Sequence, residues 1–310
     1  MKDLIHIPDF TPDEIRNIMR LSHTIKKNPF QTALKNHTMA MIFEKPSLRT
    51  RATFEIGMVQ LGGYSIYLQP GDIKLGQRET VADVARNLDR WVDIIMARTF
   101  PHDTIVELAH WSKVPVINAL SDWEHPCQAL ADFFTAIEHG KDMKNFKMAF
   151  IGDGNNVCHS LMLLSAQFGA DFALACPPGY EPEKKIIEQT QTLMSKNGGT
   201  LTVTHHPDEA VENADAVYTD VWVSMGQENE SIDRKKLFQP YKINTQLLKN
   251  AKPDALVMHC LPAHRGEEIT NEVIESKQSV VFDQAENRLH VQKAIILTLL
   301  HKDTQIHVSK

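Results

Sequence analysis

The chain has 310 residues, enough for one large or two medium domains that each bury a core. Its 42% hydrophobic and 23% charged content is that of an ordinary soluble protein, and a formal charge of −6 argues against a nucleic-acid partner. No uninterrupted apolar run approaches bilayer length, and Met1–His6 carries an acid at Asp3 rather than the apolar stretch of a signal peptide. Cys127, Cys158, Cys176 and Cys260 lie far apart with no zinc-type CxxC pairing, and read as reduced thiols in a cytoplasm.

The first element is a helix opening at Thr11-Pro12-Asp13-Glu14: a capping hydroxyl, a proline in the first turn, then acids favoured by the helix dipole. Short apolar runs follow at Met39–Phe43, Ser65–Leu68, Ile94–Ala97, Val114–Asn118 and Met148–Ile151. Others come at Phe172–Ala175, Leu201–Thr204, Ala216–Thr219, Leu256–Met258 and Val280–Phe282. Amphipathic stretches such as Ile105–Trp111, Ala129–His139 and Lys184–Met194 separate most of them. Strands alternating with helices predict an α/β protein of mainly parallel sheets flanked by helices. About ten strands exceed one comfortable sheet, so two domains are expected, 1–140 and 141–285, with the polar stretch Glu138–Lys147 as the crossover. The last apolar helix, Glu286–Leu300, fits either half.

Several segments carry candidate chemistry. Ser47-Leu48-Arg49-Thr50-Arg51 lies between a strand end and a helix start. Free backbone N–H groups and the helix dipole make such a place an anion site, to which two hydroxyls and two planar guanidinium groups are added. A plain capped helix start is the alternative. The Gly-Lys-Ser/Thr ending of a P-loop is absent. His125-Pro126-Cys127-Gln128 opens another helix, which turns His125 and Gln128 toward the same strand-end crevice, where a histidine donating to a carbonyl oxygen fits acyl transfer. A cap histidine is the alternative there, and a Cys127–His125 nucleophile lacks an orienting acid. Gly152-Asp153-Gly154-Asn155-Asn156-Val157 resembles a dinucleotide fingerprint, but valine stands where the third glycine belongs. Its asparagines suit a small polar ligand instead. Asp220-Val221-Trp222-Val223-Ser224-Met225-Gly226 follows a strand and offers an acid and a hydroxyl to an amine. His259-Cys260-Leu261-Pro262 sets a thiol at a sheet edge, while His205-His206 and His264 lack partners at ligand spacing. Open α/β sheets bind ligands at the carboxyl ends of their strands, where these segments fall.

Taken together, Ser-Leu-Arg-Thr-Arg at 47–51, His-Pro-Cys-Gln at 125–128 and His-Cys-Leu-Pro at 259–262 resemble the aspartate/ornithine carbamoyltransferase family. Asp220 through Ser224-Met225-Gly226, with Cys260, is similar to its ornithine branch. Leu48 stands where many members have threonine. The resemblance implies a carbamoyl phosphate domain, with the C-terminal helix packing back on it from about 286, and an ornithine domain joined to it by crossing helices. It also implies a homotrimer with shared active sites. Carbamoyl phosphate would meet Ser47, Leu48, Arg49, Thr50, Arg98, His125, Gln128, the backbone at Cys260-Leu261, Arg288 and a neighbouring subunit's Lys74. Ornithine would meet Asn156, Asp220, Ser224 and Met225, and the catalytic set would be Arg98, His125, Asp220 and Cys260.

The implied reaction sends an amine onto a carbonyl carbon as phosphate leaves. It needs donors for the developing oxyanion, each worth roughly 3–4 kcal/mol in measured cases. It also needs help in deprotonating an amine whose lysine-like pKa is about 10.4. No metal and no organic cofactor is called for. A sister enzyme using putrescine or N-acetylornithine is the nearest rival, and a non-catalytic binding protein on the same fold is a rival of another class. Aspartate as acceptor would call for cations where Ser224-Met225 stands, and a nicotinamide dehydrogenase would need the missing glycine.

Overall fold

The computed structural model describes residues 2–73, 75–76, 78–223 and 231–306, with only the backbone of Ser231 and Ile232. The expected α/β class holds: nine parallel strands form two sheets among the described residues. The chain divides into two compact units, Met1–Phe134 with Glu286–Lys310, and Thr135–Ala285.

In the first unit β1 (Thr38–Phe43), β2 (Tyr64–Leu68), β3 (Ile94–Arg98) and β4 (Val116–Leu120) pair in the order β2-β1-β3-β4. Met39 to Phe43 and Ile94 to Ala97 are almost wholly buried, as near-continuous apolar runs covered on both faces should be. Each Met, Ile and Phe side chain among them contributes about 1.5–3 kcal/mol of burial. Sheet order reverses between β1 and β3, and their register sets Phe43 beside Arg98 at the carboxyl ends. The helix Pro12–Lys27 forms where expected, with Thr11 and Glu14 in a reciprocal capping box.

The second unit carries β5 (Lys147–Ile151), β6 (Asp171–Ala175), β7 (Leu201–Thr204), β8 (Ala216–Thr219) and β9 (Leu256–His259), ordered β7-β6-β5-β8-β9. Its order reverses between β5 and β8, where Thr219 Oγ1 donates to the Ile151 carbonyl over 2.7 Å. Gly154 in the following loop is required by close approach: a Cβ there would lie 2.4 Å from the Pro182 nitrogen.

One predicted strand is absent. Val280–Phe282 is not a tenth strand; Val280 donates to the Val257 carbonyl at 3.0 Å, and the chain then enters the helix Val281–Leu299. Three apolar residues are too short a run to distinguish an edge bridge from the first turn of a helix. That helix begins five residues before the Glu286 start read from the sequence. The Val114–Asn118 run forms a strand two residues later, after Pro115. No helix among the described residues is long and apolar enough to cross a membrane.

Candidate active site

In the first unit the anion-binding segment folds as its sequence predicts. Ser47 is the N-cap of the helix Leu48–Gln60, and its hydroxyl accepts from the Thr50 N–H at 3.4 Å. The N–H groups of Leu48 and Arg49 take no acceptor among the described residues, which is the ordinary state of a helix's first turn and the basis of anion binding there. Leu48 projects its side chain into solvent, so only its backbone bears on such a site. Thr50 is fully buried, and its hydroxyl oxygen gathers three partners. Ser47 Oγ lies 3.1 Å away, Arg98 Nη1 donates at 3.4 Å and Arg288 Nη2 at 3.0 Å. Two guanidinium groups, one from a strand end and one from a C-terminal helix, thus meet at one threonine. Arg49 is half-buried at the mouth of the same turn. Arg51 is directed elsewhere: it pairs with Glu55 at 3.1 Å and lies 3.9 Å over the Tyr67 ring.

His125 precedes the helix Pro126–Glu138, and its carbonyl accepts from the N–H groups of Gln128 and Ala129. Burial, and then the cations of Arg288 and Arg98, push its imidazole well below the ordinary 6.5. The ring is therefore neutral at physiological pH and donates through one nitrogen. Gln128 is 1% exposed; its Nε2 donates to Asp132 at 2.8 Å, which leaves Oε1 with no partner among the described residues. A carboxylate only accepts, so this contact fixes which way the amide points. Cys127 is buried, donates weakly to the Asn118 carbonyl at 3.5 Å and has its thiol pushed up to about 12, so it is no nucleophile.

In the second unit Asp220 follows β8 and is 8% exposed. Its Oδ2 accepts from Asn155 Nδ2 at 2.8 Å, and its Oδ1 accepts from the Val221 N–H at 2.7 Å and the Cys260 thiol at 2.9 Å. The thiol and the acid, 40 residues apart, are thus one hydrogen-bonded unit. Asn156 opens the helix Asn156–Phe168 beside them, with Asn155 as its N-cap accepting from Val157 and Cys158. Leu261 has a left-handed φ of 56° and donates its N–H to His259 Nδ1 at 2.9 Å. Such a backbone costs a branched residue about 1–2 kcal/mol. His259 is buried and turns its Nε2 to Glu268 at 3.1 Å, so this pair props Leu261. Lys74, Ser224 and Met225 lie outside the described residues.

Four supporting residues have roles that the sequence reading did not assign. Asn155 holds Asp220, Asp132 orients Gln128, and His259 with Glu268 sets Leu261. Only Asn155 had a signal, as a capping residue before a helix. The others act through pairings that no local pattern encodes.

Each unit thus sets polar groups outside the carboxyl ends of its strands at a switch point of sheet order, one set cationic and one anionic. That is the pattern of an α/β enzyme that binds ligands at the carboxyl ends of its strands. The chain belongs to the aspartate/ornithine carbamoyltransferase family: residues 2–138 match its carbamoyl-P binding domain and residues 144–299 its Asp/Orn binding domain. Among individual relatives it is 50% identical over 304 residues to the ornithine carbamoyltransferase of Pyrococcus horikoshii, covering 96% of each chain. With the ornithine carbamoyltransferase of Carboxydothermus hydrogenoformans it shares 51% over 303 residues, 96% of this chain and 97% of that one. The ornithine carbamoyltransferase structure from Pyrococcus furiosus superposes with a TM-score of 0.93 at 49% identity, covering 96% of both chains. The anabolic ornithine carbamoyltransferase of Campylobacter jejuni gives 0.93 at 40%, covering 96% of this chain and 99% of that one.

Proposed function

We propose that this protein transfers the carbamoyl group of carbamoyl phosphate to the δ-amine of ornithine, giving citrulline and phosphate. The observation that carries the reading is the buried cluster of Arg98 and Arg288 on Thr50, beside a neutral His125. It suits a dianionic phosphate next to a carbonyl that needs donors rather than a base. The free N–H groups of Leu48 and Arg49, with Ser47, Thr50, Arg49, Arg98 and Arg288, hold the phosphate. Lys74 of a neighbouring subunit completes it in a homotrimer. Arg98, His125 and Thr50 donate to the carbonyl oxygen as charge builds there. Gln128 Oε1 and the backbone at Cys260-Leu261 take the carbamoyl NH2.

Ornithine enters as a cation and is held by Asn156, Asp220, Ser224 and the Met225 backbone. Asp220 and Cys260 orient the reacting amine. As the N–C bond forms, the C–O bond to phosphate breaks and phosphate departs with the electron pair. The δ-ammonium first gives one proton to Asp220, which frees its lone pair for attack, and the second proton passes to the departing phosphate as the N–C bond forms. Orientation of the two substrates supplies much of the remaining barrier reduction, for which about 7–11 kcal/mol is attainable. Two of the relatives are named anabolic, and the same direction, toward arginine in the cytoplasm, is proposed here.

The test is product analysis with carbamoyl phosphate and each of ornithine, putrescine and N-acetylornithine. Citrulline is expected as the dominant product. Faster formation of carbamoylputrescine or acetylcitrulline would reassign the acceptor, and no turnover with any amine would leave a binding protein.

A further inference from the structure

We propose that Cys176 Sγ, the Glu181 carboxylate and His205 Nε2 form a binding site for a zinc-like divalent cation in the second unit, separate from the Asp220–Cys260 site. The local pattern around His205 shows no ligand spacing, but the sheet supplies it. β6 and β7 pair in parallel with Ala175 beside Thr204, so the residues that follow them, Cys176 and His205, emerge side by side at the carboxyl edge. The Cys176 N–H still donates to the Thr204 carbonyl at 3.2 Å. The loop after Cys176 turns back through a Tyr180-to-Pro177 hydrogen bond of 3.1 Å and delivers Glu181 to the same spot. The three donor atoms lie within 4.8 Å of one another.

The surrounding hydrogen bonds aim these donors. His205 Nδ1 is 2.9 Å from the Cys176 carbonyl, an atom that only accepts, so Nδ1 carries a proton and Nε2 is the nitrogen left to bind a metal. Glu181 Oε2 accepts from the Gly179 N–H at 2.9 Å, which leaves Oε1 toward the histidine, 3.7 Å from Nε2. A tetrahedral ion with bonds of about 2.0–2.2 Å to nitrogen and oxygen and about 2.3 Å to sulfur has ligand edges of about 3.3–3.6 Å, so a closure of these donors completes the geometry. Ligand histidines and carboxylates held by such outer hydrogen bonds are the rule in zinc sites. Burial, and then the carboxylates of Glu181 and Asp153, push the Cys176 thiol up to about 12, so a bound cation has to displace its proton. Sulfur, imidazole and carboxylate together select zinc over magnesium or calcium. Cys176 is buried while Glu181 and His205 are exposed, so the fourth position faces water. An imidazole–carboxylate ion pair is the competing account, and it gives the sulfur no part.

The test uses the full-length protein, reduced and stripped with a chelator, titrated with zinc alone in a calorimeter and with cobalt(II) in a spectrophotometer. A thiolate-to-cobalt charge-transfer band and a zinc-dependent rise in melting temperature are expected. Cys176→Ser and His205→Asn should each weaken zinc by about 100-fold or more, remove the band, and leave the melting temperature in chelator close to that of the parent. Cys260→Ser, which disables the neighbouring Asp220, His259 and Cys260 group, should leave both signals in place. Absence of zinc binding by the parent, binding unchanged in Cys176→Ser and His205→Asn, or loss only in Cys260→Ser would each overturn the assignment.

Discussion

The two units solve opposite electrostatic problems on the same kind of scaffold. In the first, two buried guanidinium groups are steered onto one threonine hydroxyl, and the nearby histidine is kept uncharged. In the second, a buried carboxylate is held by an amide, a thiol and a backbone N–H, all neutral donors. Both sets hang from strand ends flanking a reversal of sheet order. The fold therefore chooses where a ligand binds, and a few side chains at the strand ends choose the sign of its charge. A cationic cluster that converges on one neutral hydroxyl suits an anion. A carboxylate whose hydrogen-bond donors among the described residues are all neutral suits an amine.

Removing a cation from the first unit is the strongest challenge to this contrast. Arg98→Ala should lower kcat/KM by about 10³-fold, because one group that grips phosphate and one oxyanion donor vanish together. Calorimetry should show carbamoyl phosphate binding lost; unchanged affinity would mean that the cluster on Thr50 is merely structural. The matching change in the second unit is Asp220→Asn. An amide there turns a donor toward Asn155 Nδ2 or Cys260 and deletes the charge, and charge-assisted hydrogen bonds of this kind are worth about 1.5–3 kcal/mol. Ornithine kcat/KM should fall by about 100-fold with carbamoyl phosphate affinity preserved. An equal loss for both substrates would erase the distinction between the two sites.

The sequence exposed the first site better than the second, and the reason is physical. Ser47 to Thr50 form a contiguous strand-to-helix turn, so cap, free N–H groups and charges are adjacent in the chain and their chemistry is local. Asp220, Cys260 and Asn155 sit on three separate strand-to-loop turns, and their union depends on β8 lying between β5 and β9. Family resemblance named Asp220 and Cys260, but their 2.9 Å contact is a product of topology. Arg51 shows the reverse error. It looks as apt for phosphate as Arg49, yet two residues along the helix, about 200° of rotation, carry it to Glu55 and Tyr67. Nine strands were legible as apolar runs, whereas Val280–Phe282 was misread because a residue beside an edge bridge and the first turn of a helix form one short apolar run.

Smaller effects refine the comparison. Cys260→Ala leaves Asp220 its amide and backbone donors and removes one weak one. Turnover with ornithine should fall by about 5-fold, in keeping with a neutral hydrogen bond of about 1 kcal/mol. An undiminished kcat would show that the thiol only packs.

His125 gives the smallest effect and the finest probe of the cationic side. Its folded pKa is depressed by burial and by Arg288 and Arg98, whereas in the unfolded chain it returns to about 6.5. Between the two values the unfolded chain binds a proton that the folded chain refuses. Stability from this group is therefore full above about pH 6.5 and declines as pH falls below it. His102, lowered to about 4, contributes in the same sense, so the isolated signal is a difference against His125→Gln. The variant should lose less melting temperature than the parent on going from about pH 7.5 to 5.5, and the His125 ring resonances should not titrate near 6.5. A ring that titrates at or above that value would place no net cation beside it, and the neutral donor on which the oxyanion depends would become an imidazolium.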